Sequence, residues 1–211
     1  MRLRCPLALA LALAALPSDS RAGSEAGEPT PLGAFASGRS ELGLAAGYGF
    51  GADLFGSGGT ENAEVSFAAL VPSFLIEPFG LLGGDAWYAG SFSLGVEGGL
   101  LLNSDPRFGV AGNGSLLARY HLLAPALRGG RLVPYAELSL GIGLLDFDLD
   151  QQDDGFNFFL QGGAGAQWLL TRRTALSAGW RYHHISNAGT RRPNIGINSH
   201  LFLFGLSFFL D

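Results

Sequence analysis

Eight stretches of this chain alternate between two kinds of side chain with a period of two: residues 40 to 51, 63 to 75, 87 to 102, 108 to 122, 131 to 146, 156 to 169, 173 to 186 and 198 to 210. A period of two returns a side chain to the same face of a β-strand, whereas a helix needs about 3.6 residues. One face is bulky and apolar: Leu42, Leu44, Tyr48 and Phe50 in the first stretch, Phe92, Leu94, Val96 and Leu100 in the third, and Leu138, Leu140, Ile142 and Leu144 in the fifth. The last stretch continues it with Phe202, Phe204, Leu206, Phe208 and Leu210. The other face is rich in glycine and carries Ser91, Ser93, Glu97, Asn113, Ser115, Arg119, Glu137, Ser139, Gln161, Gln167, Arg181 and His183. Eight such stretches at near-even spacing are the pattern of an up-and-down β-barrel.

Which face points inward separates two kinds of barrel. A soluble barrel, for example a secreted lipid-binding one, would turn the apolar face in; an outer-membrane barrel turns it to lipid and fills its lumen with the polar face. The glycine-rich face makes a poor solvent surface, while Glu97, Glu137, Arg119 and Arg181 can satisfy one another inside. Aromatics near the ends of stretches, among them Tyr48, Phe50, Tyr120 and Trp168, suit an interfacial girdle. Hydrophobic residues make up 47% of the chain, yet no apolar run approaches the roughly 18 residues of a membrane helix. The expected fold is therefore all-β, an eight-stranded antiparallel up-and-down transmembrane β-barrel over residues 40 to 211. The aromatic end Phe208-Phe209-Leu210-Asp211 loosely resembles the assembly signal of such barrels, with two residues added.

Arg2 and Arg4 precede an apolar Leu/Ala run, and Ser20-Arg21-Ala22 offers small residues at the positions a signal peptidase reads. Residues 1 to 22 are thus expected to be a removed signal peptide, and 23 to 39 a flexible N-terminal leader. The single cysteine, Cys5, falls in the removed part, so the mature chain has no disulfide framework. A net charge of -5 without a basic stripe argues against nucleic acid as a partner, and no zinc-ligand spacing, P-loop or dinucleotide fingerprint is present.

The densest run of catalytic-type side chains is Arg181-Tyr182-His183-His184-Ile185-Ser186-Asn187-Ala188-Gly189, continuing through Arg191, Arg192, Pro193 and Asn194 to Gly196, Ile197 and Asn198. Alternation puts His184 and Ser186 together at the end of the apolar face of the seventh strand, with Cα atoms roughly 6.5 Å apart. An imidazole and a hydroxyl so placed can make the bond between a nucleophile and its base. Asn198 begins the eighth strand on the same parity, within cross-strand reach of His184.

The pattern His184-x-Ser186-Asn187-Ala188-Gly189 followed by Pro193-Asn194-x-Gly196-Ile197 resembles the active-site signature of the lipid A 3-O-deacylases (PagL type, acyloxyacyl hydrolase-like). The resemblance implies an outer-membrane serine esterase acting on lipid A of lipopolysaccharide in the outer leaflet. Ser186 would be the nucleophile, His184 its base, and Asn198 would stand where the family carries a carboxylate. It further implies an oxyanion site from the Asn194 side chain and the Gly189 N–H, with Asn187 supporting. This scheme requires no metal and no cofactor.

Around that motif, Arg191 and Arg192 suit lipid A phosphates, since guanidinium groups recognise them well. Asp153 and Asp154 are the nearest topological substitutes for the missing acid, although they also read as part of the solvated acidic run Asp146, Asp148 and Asp150. His183 falls on the lumen parity as a structural hydrogen-bonding residue. A non-enzymatic structural or adhesive barrel retaining a degenerate motif is the alternative, and the sequence leaves a homodimer open.

Overall fold

The computed structural model describes residues 30 to 52 and 65 to 211. The expected signal peptide and the leader as far as residue 29 lie outside the described residues. Eight strands follow one another: β1 (Ser40–Gly51), β2 (Ser66–Ile76), β3 (Gly90–Asp105), β4 (Gly109–Leu122), β5 (Leu132–Asp146), β6 (Gly155–Thr171), β7 (Thr174–Ser186) and β8 (Ile197–Leu210). Each pairs antiparallel with its sequence neighbour, and β8 closes on β1 from Ser40↔Leu210 to Gly51↔Ser199. The result is a closed barrel with no free edge. The third strand starts and ends three residues later than its alternation suggests. Trp87 and Tyr88 belong to the preceding loop, 81% and 54% exposed.

The two faces separate as the alternation requires. Large apolar side chains stand outward over the whole wall, including Leu116 at 70%, Phe204 at 67% and Leu144 at 66% exposure. A soluble barrel would bury this face, and exposing an apolar belt of that extent to water is uncharacteristic of soluble monomers. The transmembrane arrangement follows, with the backbone of the wall hydrogen-bonded in its closed ladder.

Inside, the polar face forms one connected layer. The Arg181 guanidinium donates to both oxygens of Glu97 at 2.8 and 3.0 Å and to Glu137 at 2.7 Å. Arg119 donates to Glu137 at 3.0 Å and to Glu41 at 3.1 Å, and its guanidinium lies 4.6 Å from the Tyr135 ring centre. Glu41 also accepts from Gln167 and Ser207. Each charge of this layer is thereby paired, the condition under which charges are tolerated away from water.

Apolar clusters cap this layer at both ends. Phe67, Phe147, Phe159, Ile185 and Ile197 close the end that carries the β5–β6 and β7–β8 loops, and Phe35, Leu123, Leu169 and Phe209 close the other. His183 sits in the first cluster, stacked near Phe159 and edge-on to Phe67, and neither ring nitrogen finds a hydrogen-bond partner among the described residues. Aromatic packing, rather than the expected hydrogen bonding, holds it.

The leader from Thr30 onward also differs from a flexible tail. A helical turn, α1 (Pro31–Ala34), delivers Phe35 into the barrel mouth, where its ring stacks on His121 at 4.0 Å and meets Phe209 edge-on at 5.3 Å. Burying a phenyl group from water stabilises this plug by about 1.5 to 3 kcal/mol. Asp211, after the aromatic end of β8, pairs with Arg39 and with Arg173.

Candidate active site

β7 and β8 form the wall in which the motif sits. Their register sets His184 opposite Asn198, while on the other side of β7 Ser186 faces Phe158 and His184 faces Leu160 of β6. The polar group is half-buried on the lipid-facing side of the wall, beside exposed apolar residues of β6.

Two hydrogen bonds link it. His184 Nδ1 lies 2.7 Å from Asn198 Oδ1, and His184 Nε2 lies 3.1 Å from Ser186 Oγ. A carboxamide oxygen only accepts, so it requires the proton on Nδ1 and leaves the Nε2 lone pair to receive the serine proton. This is the tautomer a general base needs. The amide orients the ring as a carboxylate would, but adds no negative charge when the ring becomes an imidazolium.

Beyond Ser186 the chain reverses in a tight turn. Ala188 and Gly189 both have positive φ, 54° and 76°, and the Thr190 N–H returns to the Asn187 carbonyl at 3.1 Å. Two successive left-handed residues define a type I′ turn, for which Gly189 carries no Cβ penalty and Ala188 does. Asn187, almost fully buried, ties the turn from both sides: its Oδ1 accepts from the Gly189 N–H at 3.0 Å, and its own N–H donates to Asn194 Oδ1 at 3.0 Å. Fixing the Asn194 oxygen in this way leaves its Nδ2 as the donor for another group. The Gly189 N–H already has an acceptor, so an oxyanion at Ser186 would have to share it.

The β5–β6 loop lies against the same segment. The Asp153 N–H donates to the Pro193 carbonyl at 2.9 Å and the Ile195 N–H to the Gln151 carbonyl at 3.0 Å. Gln152 Oε1 accepts from the Gly196 N–H at 3.0 Å. Asp154 does not approach His184; its Oδ1 accepts from the N–H groups of Phe147 and Asp148 and shapes the loop. Asp153 is 3.7 Å from Arg191, which like Arg192 is exposed on the rim. Neither acid takes the place opposite His184 Nδ1, which Asn198 occupies.

His200, next on the outward parity of β8, accepts from Trp180 Nε1 at 3.1 Å and meets Phe50 edge-on, which makes it part of the lipid-facing aromatic surface. Gln152 and its partner Asn157 are the site neighbours that the sequence alone does not point to; both are polar residues in or beside a polar loop, and no spacing connects them to the motif. Among the described residues, no group of three or more His, Asp or Glu side chains is arranged to hold a metal ion.

Comparison with known proteins gives a family and a fold. The profile of the family described as lipid A 3-O-deacylase (PagL) matches residues 84 to 207. Among solved structures, that of the outer membrane enzyme PagL superposes with a TM-score of 0.53 at 18% identity, covering 78% of this chain and 97% of that one. Neisserial surface protein A superposes with a TM-score of 0.50 at 15% identity, covering 82% and 99%. No curated protein sequence matches the chain. At such identities the two structural likenesses speak for the barrel fold alone.

Proposed function

Since the chain belongs to the lipid A 3-O-deacylase (PagL) family, we propose that it is an outer-membrane serine esterase that removes the ester-linked 3-O-acyl chain from lipid A of lipopolysaccharide. The observation that carries this reading is the continuous line Asn198 Oδ1, His184 Nδ1, His184 Nε2, Ser186 Oγ on the lipid-facing wall. A water-soluble substrate would not meet a nucleophile on that face. With the β7–β8 rim at the cell surface, Ser186 lies at the height of the outer leaflet, where lipopolysaccharide resides.

Ser186 Oγ attacks the ester carbonyl carbon as its proton passes to His184 Nε2. The carbonyl oxygen, now an anion, receives Asn194 Nδ2, with the shared Gly189 N–H as a secondary donor. Collapse of the tetrahedral intermediate breaks the bond to the sugar oxygen, which leaves with the proton from His184 Nε2. Water then repeats the sequence on the acyl-serine: His184 takes its proton, the fatty acid leaves, and Ser186 is restored. Arg191 and Arg192, exposed on the rim, would meet lipid A phosphates, which guanidinium groups bind in a bidentate manner.

The test is mass spectrometry of lipid A from Gram-negative cells producing the protein, beside cells producing Ser186→Ala. Loss of one hydroxyacyl mass only with the unaltered protein is expected. Identical spectra from two folded, membrane-inserted proteins would refute the esterase.

One observation favours a second reading. The amide of Asn198 where the family carries a carboxylate suits a structural or adhesive barrel that keeps the motif for its packing. On that reading Ser186→Ala changes neither lipid A nor any phenotype of the cells.

A further inference from the structure

We propose that Gln152, in the loop between β5 and β6, is a positioning residue that holds His184 and Asn194 in their working places, an inference that rests on the esterase reading. Gln152 is 1% exposed, and both ends of its carboxamide are used. Its Nε2 donates to Asn157 Oδ1 at 2.9 Å, and Asn157, fully buried at the start of β6, is itself held by the carbonyls of Asp153 and Gly155. That anchor orients Gln152 so that Oε1 faces the Gly196 N–H at 3.0 Å.

Gly196 in turn supports the imidazole. Its φ is +86°, a conformation glycine adopts without strain, and a Cβ built there would lie 3.0 Å from His184 Cε1 and 3.8 Å from Nδ1. The ring therefore lies on the side of Gly196 where a side chain would stand, in space that only glycine leaves open. Without the Gln152 acceptor, the Gly196 peptide loses the side-chain bond that fixes its N–H beside the ring. A buried N–H is then left unsatisfied, which favours rearrangement of the segment.

The same loop residue reaches the oxyanion side. Gln152 and Asn194 form a β-bridge, flanked by the Asp153-to-Pro193 and Ile195-to-Gln151 hydrogen bonds. Asn194 thus takes its backbone position from the β5–β6 loop and its side-chain orientation from the Asn187 N–H. One buried glutamine connects the base and the oxyanion donor to the rigid start of β6. It touches neither substrate nor reacting atoms.

Gln152→Met keeps the volume and removes both hydrogen bonds. Purified proteins in lipopolysaccharide micelles are assayed for fatty-acid release, with Ser186→Ala as the blank and heat-modifiable gel mobility as the check of the barrel. Misplacement of reacting groups by about 1 Å costs up to about 100-fold, so Gln152→Met is expected to lower kcat by about 10- to 100-fold, leaving KM unchanged. A readout independent of turnover comes from protein labelled with 15N-histidine, which has four histidines. Gln152→Met should broaden the His184 Nδ1–H signal and leave those of His121, His183 and His200 in place. A Gln152→Met protein with wild-type kcat, or an undisturbed His184 signal, overturns the positioning role. Should the unaltered protein release nothing while the His184 signal still responds, the positioning stands and the esterase reading fails instead.

Discussion

Replacing Asn198 by aspartate tests what the amide withholds from the site. The two side chains are nearly isosteric, and Asn198 already reaches His184 Nδ1 at 2.7 Å, so the shorter acid suits this backbone better than glutamate. Amide and carboxylate favour the same tautomer, with the proton on Nδ1. On the proposed mechanism the gain is therefore confined to the moment when His184 becomes an imidazolium, and it acts on the transition state rather than on the resting state. Unit charges about 4 Å apart attract by about 4 kcal/mol at an effective dielectric constant of about 20. The half-buried site and the cost of holding a carboxylate there reduce this to about 2 kcal/mol, a rise in kcat of about 30-fold at 1.36 kcal/mol per decade. The assay is fatty-acid release from lipopolysaccharide micelles, with Ser186→Ala subtracted. An unchanged or lower kcat in Asn198→Asp, with the barrel intact, would refute the view that the missing charge limits this site.

Two further perturbations address the barrel. Arg181→Met leaves Glu97 and Glu137 without a shared partner in the lumen; removing one member of such a buried pair costs about 3 to 5 kcal/mol, to be read as a lower urea midpoint in micelles. Adding Glu97→Gln to Arg181→Met should recover part of that loss, and a double variant no better than the single one would count against the pairing. Glu77, at the opposite mouth from the candidate site, accepts from Ser91 and Ser93, and burial pushes its carboxyl above the usual carboxylate range. An acid with a raised folded value stabilises the fold below its unfolded pKa, and that contribution is lost as pH rises through the folded value. Glu77→Gln, neutral throughout, should accordingly unfold at a higher urea concentration than the wild type at pH 8 and match it near pH 4. A lower midpoint at pH 8 would contradict the burial argument.

The chain's own pattern determined the barrel and its orientation of faces. Strand parity repeats every two residues, so alternation alone separates lumen from lipid, and the strand ends fall within three residues of where it stops. The nearness of His184 and Ser186 was equally legible, because two residues on one strand share a face whatever surrounds them. Reach between Asn198 and His184 needed one more assumption, the register of β7 on β8, which the intervening hairpin sets. Three features were decided only by the assembled barrel. The burial of Phe35 depends on a mouth that exists once β8 has closed on β1. His183 lost its hydrogen-bonding role because the lumen around it at that height is aromatic. Gln152 meets Gly196 across 44 residues through loop-to-loop backbone pairing. Local periodicity carries no record of such a contact, since it arises from where two neighbouring hairpins end in space and not from any repeat within either of them.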